Sequence, residues 1–261
     1  MRSRARERGP AFDLLAAWAP GGFLLERAGE GVAGAGIAEE VAVDGGPGRF
    51  ARLARVVEEA FARISREEAG SPLVAAGGIA FDDDRAARLV VPARALVRRG
   101  GHTVEIDVEP ARVEAPPVAL PRPDAAPSDP FEDVRLRPDP KPHAYREAVA
   151  RATARIRDGD LRKVVLARSI LVEADRELDL RALLARLRAV DPDAYAFAAP
   201  DGAGTLVGAS PELLVRKTGR AIATTPLAGS APRHGDPDED RASAERLFAS
   251  EKDREEHRLV V

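Results

Sequence analysis

Between Pro110 and Pro142 the chain carries eight further prolines: Pro116, Pro117, Pro121, Pro123, Pro127, Pro130, Pro138 and Pro140. Each removes a backbone N–H donor and fixes φ near about −65°, so neither a helix interior nor a central strand can run through such a stretch. It reads as an extended connector, and it divides the chain into residues 1–109 and 143–261.

The first region carries short strand candidates at Phe23 to Glu26, Gly31 to Val43, Leu73 to Phe81, Arg88 to Val97 and His102 to Val108, with one helix from Arg49 to Ile64. Strands that follow one another without helical crossovers imply antiparallel pairing and an α+β layout. The basic octet Met1 to Arg8 leads into Gly9-Pro10 and reads as a frayed tail rather than an RNA-binding arm. In the second region Tyr145, Val149, Ala152 and Ile156 form one apolar helix face that ends at Asp158-Gly159-Asp160. Arg162 to Val172 is dense in β-branched residues and predicts a strand, with Lys163, Val165, Ala167, Ser169 and Leu171 on one face. A helix follows with Leu180, Leu183, Leu184 and Leu187 on its stripe, then two hairpins. These are Ala194 to Ala199 with Thr205 to Ala209, and Leu213 to Arg216 with Ala221 to Thr225. From Asp238 a charged helix is expected to run to Val261, where Leu259-Val260-Val261 supplies no Gly, Asn or Pro stop, so the sequence reads as cut short there.

Composition removes several classes of function. Without cysteine there is neither a disulfide framework nor a thiolate metal site, which suits a reducing cytoplasm and leaves oxygen or imidazole for any metal. A net charge of −3 argues against non-specific nucleic-acid binding. No run of apolar residues is long enough for a membrane span or a secretory leader. Of the 40 cationic side chains only Lys141, Lys163, Lys217 and Lys252 are lysines, so each lysine invites a reason.

Lys163 stands near the start of the expected strand among apolar neighbours. Arg cannot give up its proton, whereas a desolvated Lys can act as a base. The other reading is a lysine whose stem lies along apolar surface at a strand end. Glu212 interrupts the apolar passage Gly208-Ala209-Ser210-Pro211-Glu212-Leu213-Leu214-Val215. In apolar surroundings such a carboxyl becomes a proton donor near neutrality; at a solvated strand kink it is only a surface charge. Ser250, Asp253, Glu256 and His257 share one side of the terminal helix, where Asp253 and Glu256 could hold a hard divalent cation or simply belong to a solvated charged face. Thr225-Pro226-Leu227-Ala228-Gly229-Ser230 has the form of a strand end and a Gly-Ser turn, whose N–H groups can bind a carboxylate or hydroxyl.

Taken in order, Lys163-Val164-Val165-Leu166-Ala167-Arg168, Gly208 to Leu214, Pro226-Leu227-Ala228-Gly229-Ser230 and Ser250 to His257 closely resemble the motifs of the chorismate-binding enzymes. That family includes the isochorismate, salicylate, anthranilate and aminodeoxychorismate synthases. The resemblance is strong from Tyr145 to Val261 and faint before the connector. It implies antiparallel sheets packed face to face with helices outside, a chorismate substrate, a Mg²⁺ cofactor, no nucleic acid, no membrane, and a monomer. Lys at position 163 and Ala at position 228 resemble the members that use water as nucleophile, the isochorismate synthases foremost. On that likeness Lys163 would activate the water, Glu212 would protonate the departing hydroxyl, Gly229 and Ser230 would touch substrate, and Glu256 with Asp253 would hold the metal. Salicylate synthases share the Lys and the Ala, and the family's chain continues beyond this helix with further acidic and basic ligands. A salicylate synthase and a non-catalytic remnant of the same fold are therefore the alternatives. The likeness leaves open whether the product feeds menaquinone or a catechol siderophore.

Overall fold

The structure, a computed structural model, describes residues 1–9, 13–68, 70–109, 133–201 and 204–261. In chain order its elements are β1 (Arg2–Arg8), α1 (Leu14–Ala17), β2 (Phe23–Arg27), β3 (Glu30–Ala35), β4 (Glu39–Val43), α2 (Arg49–Ala62), β5 (Ser65–Arg66), β6 (Ala87–Val91), β7 (Arg94–Arg99), β8 (His102–Glu109) and β9 (Val134–Asp139). There follow α3 (Pro142–Arg157), β10 (Ser169–Ala174), α4 (Leu180–Val190), β11 (Tyr195–Asp201), β12 (Gly204–Ser210), β13 (Leu213–Thr218), β14 (Ala221–Thr225), α5 (Pro237–Ala249) and α6 (Glu251–Val260). This is the α+β arrangement expected, with every strand pair antiparallel except the short β1–β5 contact.

Contacts divide the chain into two units that do not follow the linear division at the connector. One comprises Met1–Ser128 with Asp179–Pro211, the other Asp129–Leu178 with Glu212–Val261. Residues 179–211 join the first unit because β11 pairs with β2, Ala196 opposite Glu26 and Ala198 opposite Leu24, and so extends the main sheet. That sheet has eight strands in the order β12-β11-β2-β3-β7-β8-β1-β5.

Successive residues of a strand point to opposite faces, and β7 shows what each face covers. Leu96 packs with Trp18, Leu14, Leu24, Ala33, Ala198 and Leu184, so α1 and α4 close one side. Its neighbour Ala95 packs with Val41, Leu53, Ala60, Val91 and Ile106, so α2 and the β4–β6 ribbon close the other. Arg49, Leu53 and Ala60 recur at helical spacing on the buried side of α2. On α4 the Asp179 carboxylate caps the first turn by accepting from the N–H groups of Arg181 and Ala182, both at 3.0 Å. Arg188 on the same helix reaches Asp13 at 2.8 Å and the buried Glu26 at 3.1 Å.

The Arg188 hydrogen bond holds the Asp13 carboxyl below the usual carboxylate range. A depressed carboxylate contributes stability that is present above its unfolded value and is lost as pH falls through the folded one. Arg188→Leu should lower stability at neutral pH by about 3–5 kcal/mol, because it strands the charge of buried Glu26. The gap to the parent should then narrow as pH falls through and below the ordinary carboxylate range, as the parent loses the Asp13 contribution. Urea unfolding across that range measures both; a gap that widens toward acid would refute the assignment.

Several local expectations are corrected. The basic octet is not a frayed tail but strand β1, laddered to β8 from Arg2 opposite Glu109 to Arg8 opposite Thr103. Arg2, Arg4 and Arg6 stand opposite Glu109, Asp107 and Glu105, so cross-strand charge complementarity stabilises the pairing. The stretch from Leu73 to Phe81 makes only two isolated bridges, Ala76 to Val90 and Ile79 to Ala87. The two longest candidates of the first region each break into two strands. Gly36, at φ 68°, separates β3 from β4, and Pro92 separates β6 from β7. Because β3 pairs with β7 and β4 with β6, the first break carries the chain from the main sheet to the ribbon and the second carries it back at the same place.

In the second unit, described by itself, β9 and β10 form one ribbon and β13 and β14 another, with α3, α5 and α6 alongside. Most of the connector, residues 110–132, lies outside the described residues. Its last part forms β9, which has one neighbour among the described residues, and Pro138 is tolerated there. The expected strand from Arg162 begins only at Ser169, because β9 offers partners from Asp139 back to Val134 and none to residues 162–168. The expected long terminal helix is two helices. Ser250 ends α5 in an extended conformation (φ −68°, ψ 111°) and caps α6, its hydroxyl accepting from the Asp253 N–H at 3.3 Å. Ser250-Glu251-Lys252-Asp253 carries the spacing of a capping box, the signal for this break. Among the described residues of this unit Ser243 alone is buried.

Candidate active site

The Gly-Ser turn is the centre of the site. Gly229 adopts φ 84°, a left-handed conformation that suits glycine, and a Cβ there would lie 3.0 Å from the Asp253 Cβ and 3.3 Å from its carboxylate oxygen. The turn therefore lies against the first turn of α6. Ser230, Ala231 and Pro232 line a cleft of about 270 Å³ with Ser243, Arg246 and Leu247 of α5 and Asp253 of α6. Two contacts hold this wall. The buried Ser243 hydroxyl donates to the Pro232 carbonyl at 2.9 Å. Asp240 accepts from the Arg233 side chain at 2.8 Å and from the His234 N–H at 3.0 Å, and the Arg233 bond holds its carboxyl below the usual range. Sequence reasoning passed over Ser243 and Asp240; their spacing with Leu247 on one helix face was the available signal.

The carboxylates of Asp253 and Glu256 converge on one positive charge. The Lys252 ammonium nitrogen lies 3.2 Å from Glu256 Oε1 and 3.8 Å from Asp253 Oδ1, and the Glu256 bond raises the pKa of the amine above its ordinary value. The ammonium shows that a single cation can engage both groups. The pair thus suits a hard ion that takes one or two protein carboxylates and fills its shell with water and substrate. Among the described residues no group of three or more potential ligands occurs. His257, on the next position of α6, is exposed.

Glu212 precedes β13 and is joined to the same turn, its Oε1 accepting from the Leu227 N–H at 3.2 Å. Of the two settings the sequence left open it has the solvated one: it is exposed, because the β13–β14 ribbon beside it leaves Leu214 and Val215 open to solvent. Lys163 is half-buried in the irregular segment between α3 and β10 and forms no hydrogen bond or ion pair with the described residues. Its segment is pinned by three contacts. The Tyr145 hydroxyl donates to the Leu166 carbonyl at 3.1 Å, the Arg168 guanidinium lies over the Tyr145 ring at 5.4 Å, and Arg162 pairs with Glu255 of α6. The structure thus brings Gly229, Ser230, Asp253 and Glu256 together, ties Glu212 to their turn, and links Lys163 to α6 only through the adjacent Arg162.

The glycine turn, the cleft and the acidic pair of the capped helix α6 thus lie side by side in an α+β fold. The chorismate binding enzyme profile matches residues 27–261, and the chain belongs to that family. It is 34% identical over 255 residues to the isochorismate synthase DhbC of Bacillus subtilis, covering 95% of this chain and 59% of that protein. With the isochorismate synthase EntC of Escherichia coli K12 it shares 48% identity over 124 residues, 47% of this chain and 32% of EntC. The crystal structure of DhbC from Bacillus anthracis superposes with a TM-score of 0.71 at 29% identity, over 94% of this chain and 59% of that one. The chain thus spans about three fifths of the length of the two DhbC proteins.

Proposed function

We propose that the chain carries the active site of an isochorismate synthase, which adds water at C2 of chorismate and releases the C4 hydroxyl. The observation that carries this reading is that Gly229 lies against Asp253, which lines the cleft with Ser230 and shares the Lys252 ammonium with Glu256, in a chain belonging to this family. Lys163 deprotonates the water that attacks C2, and Glu212 gives its proton to the oxygen leaving C4. One water enters and one departs, so the reaction is an isomerisation. Gly229 and Ser230 contact the substrate from the turn. Asp253 and Glu256 would hold Mg²⁺, which when bound supplies a template and a charge clamp for the ring carboxylate. Lys at 163 and Ala at 228 favour water over an amine as nucleophile. Among the described residues no helix is long and apolar enough to cross a membrane.

The test is incubation with chorismate and Mg²⁺ in isotopically labelled water, with products separated by chromatography and weighed by mass spectrometry. Isochorismate labelled at C2 is the expected product. Salicylate with pyruvate would replace this reading by the salicylate synthase activity, and unlabelled or absent product would overturn it.

A further inference from the structure

The cation that engages the acidic pair in this structure belongs to the protein. Lys252 is one of four lysines in a chain with 40 cationic side chains. Its ammonium nitrogen sits 3.2 Å from Glu256 Oε1 and 3.8 Å from Asp253 Oδ1, while its side chain remains 77% exposed and those of the two acids only 21% and 27%. Two carboxylates three residues apart on a helix repel one another, and a positive charge between them lets both turn to the same point. A divalent ion held by Glu256 would compete with the ammonium for the same carboxylate. Lys suits such a contact because it is a point charge on a flexible stem that can swing into solvent. Arg would grip the carboxylates through a planar fork and leave less readily.

We propose that Lys252 is a displaceable internal cation that keeps Asp253 and Glu256 converged and competes with the divalent metal for them. This rests on the reading of Asp253 and Glu256 as the metal pair. The competition keeps affinity for the ion alone low, so that the metal is held firmly only when a substrate carboxylate adds a further ligand. Lys252 is a positioning residue here and touches neither substrate nor reacting atoms.

The probe is Mn²⁺, which favours the same oxygen ligands, bound to the 261-residue chain and followed by electron paramagnetic resonance without substrate. Lys252→Met should bind Mn²⁺ about three- to fivefold more tightly than the parent at low salt, with the advantage shrinking as salt screens the charge. Lys252→Arg should bind no more tightly than the parent. Equal or weaker binding by Lys252→Met overturns the role of Lys252. Glu256→Gln separates that failure from a deeper one. If Glu256→Gln binds Mn²⁺ as well as the parent, or if no protein of the set binds it, the acidic pair is not the metal site and both readings fall.

Discussion

Lys163→Ala is expected to lower conversion of chorismate to isochorismate by on the order of 10²–10⁴, while the dissociation constant for chorismate stays within about twofold. A base acts on the water only as the transition state forms, so its removal raises the barrier and leaves ground-state binding intact. The structure gives the amine no competing duty, since it forms no hydrogen bond or ion pair with the described residues. Lys163→Arg should fail nearly as badly, because the charge is kept but the proton cannot be surrendered. Turnover by product chromatography and binding by equilibrium dialysis check both halves. Near-parental turnover in Lys163→Arg would remove the lysine from its role as base.

Glu212→Gln should cost a comparable factor, on the order of 10²–10⁴ in kcat, if proton donation is the main contribution of this side chain. The contact with Leu227 makes the substitution informative. Oε1 accepts from the Leu227 N–H at 3.2 Å, and the amide oxygen of Gln can accept in the same way, so the turn ahead of Gly229 and Ser230 stays anchored. Loss in Glu212→Gln therefore falls on kcat. Glu212→Ala removes the acceptor as well, and a rise in KM should accompany its loss in kcat as the substrate turn is released. Unchanged kcat in Glu212→Gln would show that the carboxyl does not donate the proton, and identical KM in the two variants would show that it does not hold the turn.

The parts of the fold that could be read from the sequence are those with strong local period or obvious turns. The helices α3 and α4, the pairing of β11 with β12 and the hairpin turn at residues 218–221 lie where spacing and Gly place them, although no residue of α3 is buried. Strand β1 was hidden by its charge, although Arg2, Arg4, Arg6 and Arg8 alternate with Ser3 and Ala5 at the period of a strand. What stabilises it is a ladder with residues a hundred positions away, which no local pattern reveals. The same holds for residues 179–211, whose place in the first unit depends on β11 finding β2. At the site, each of Gly229, Ser230, Asp253 and Glu256 was ambiguous alone and became specific through the order of the motifs. The half-exposed setting of Lys163, the support from Ser243 and the ammonium between the two acids follow from three-dimensional packing, for which the sequence offers no periodic sign.

The order in which the main sheet is threaded bears on how the protein is made. Strand β2 ends at Arg27, yet its neighbour β11 begins only at Tyr195, and β1 must await β8 at His102. During synthesis the β2 edge is therefore bare while some 170 further residues emerge, as the hydrogen bonds from Arg188 to Asp13 and Glu26 across sequence separations of 175 and 162 also show. At about 5–20 residues per second that interval lasts roughly ten to thirty seconds, long enough for an unpaired strand to meet other chains. Such non-local closure slows folding and raises the contact order. Yield of the folded protein should therefore depend more on chaperone capacity and temperature during synthesis than on the stability of the finished sheet.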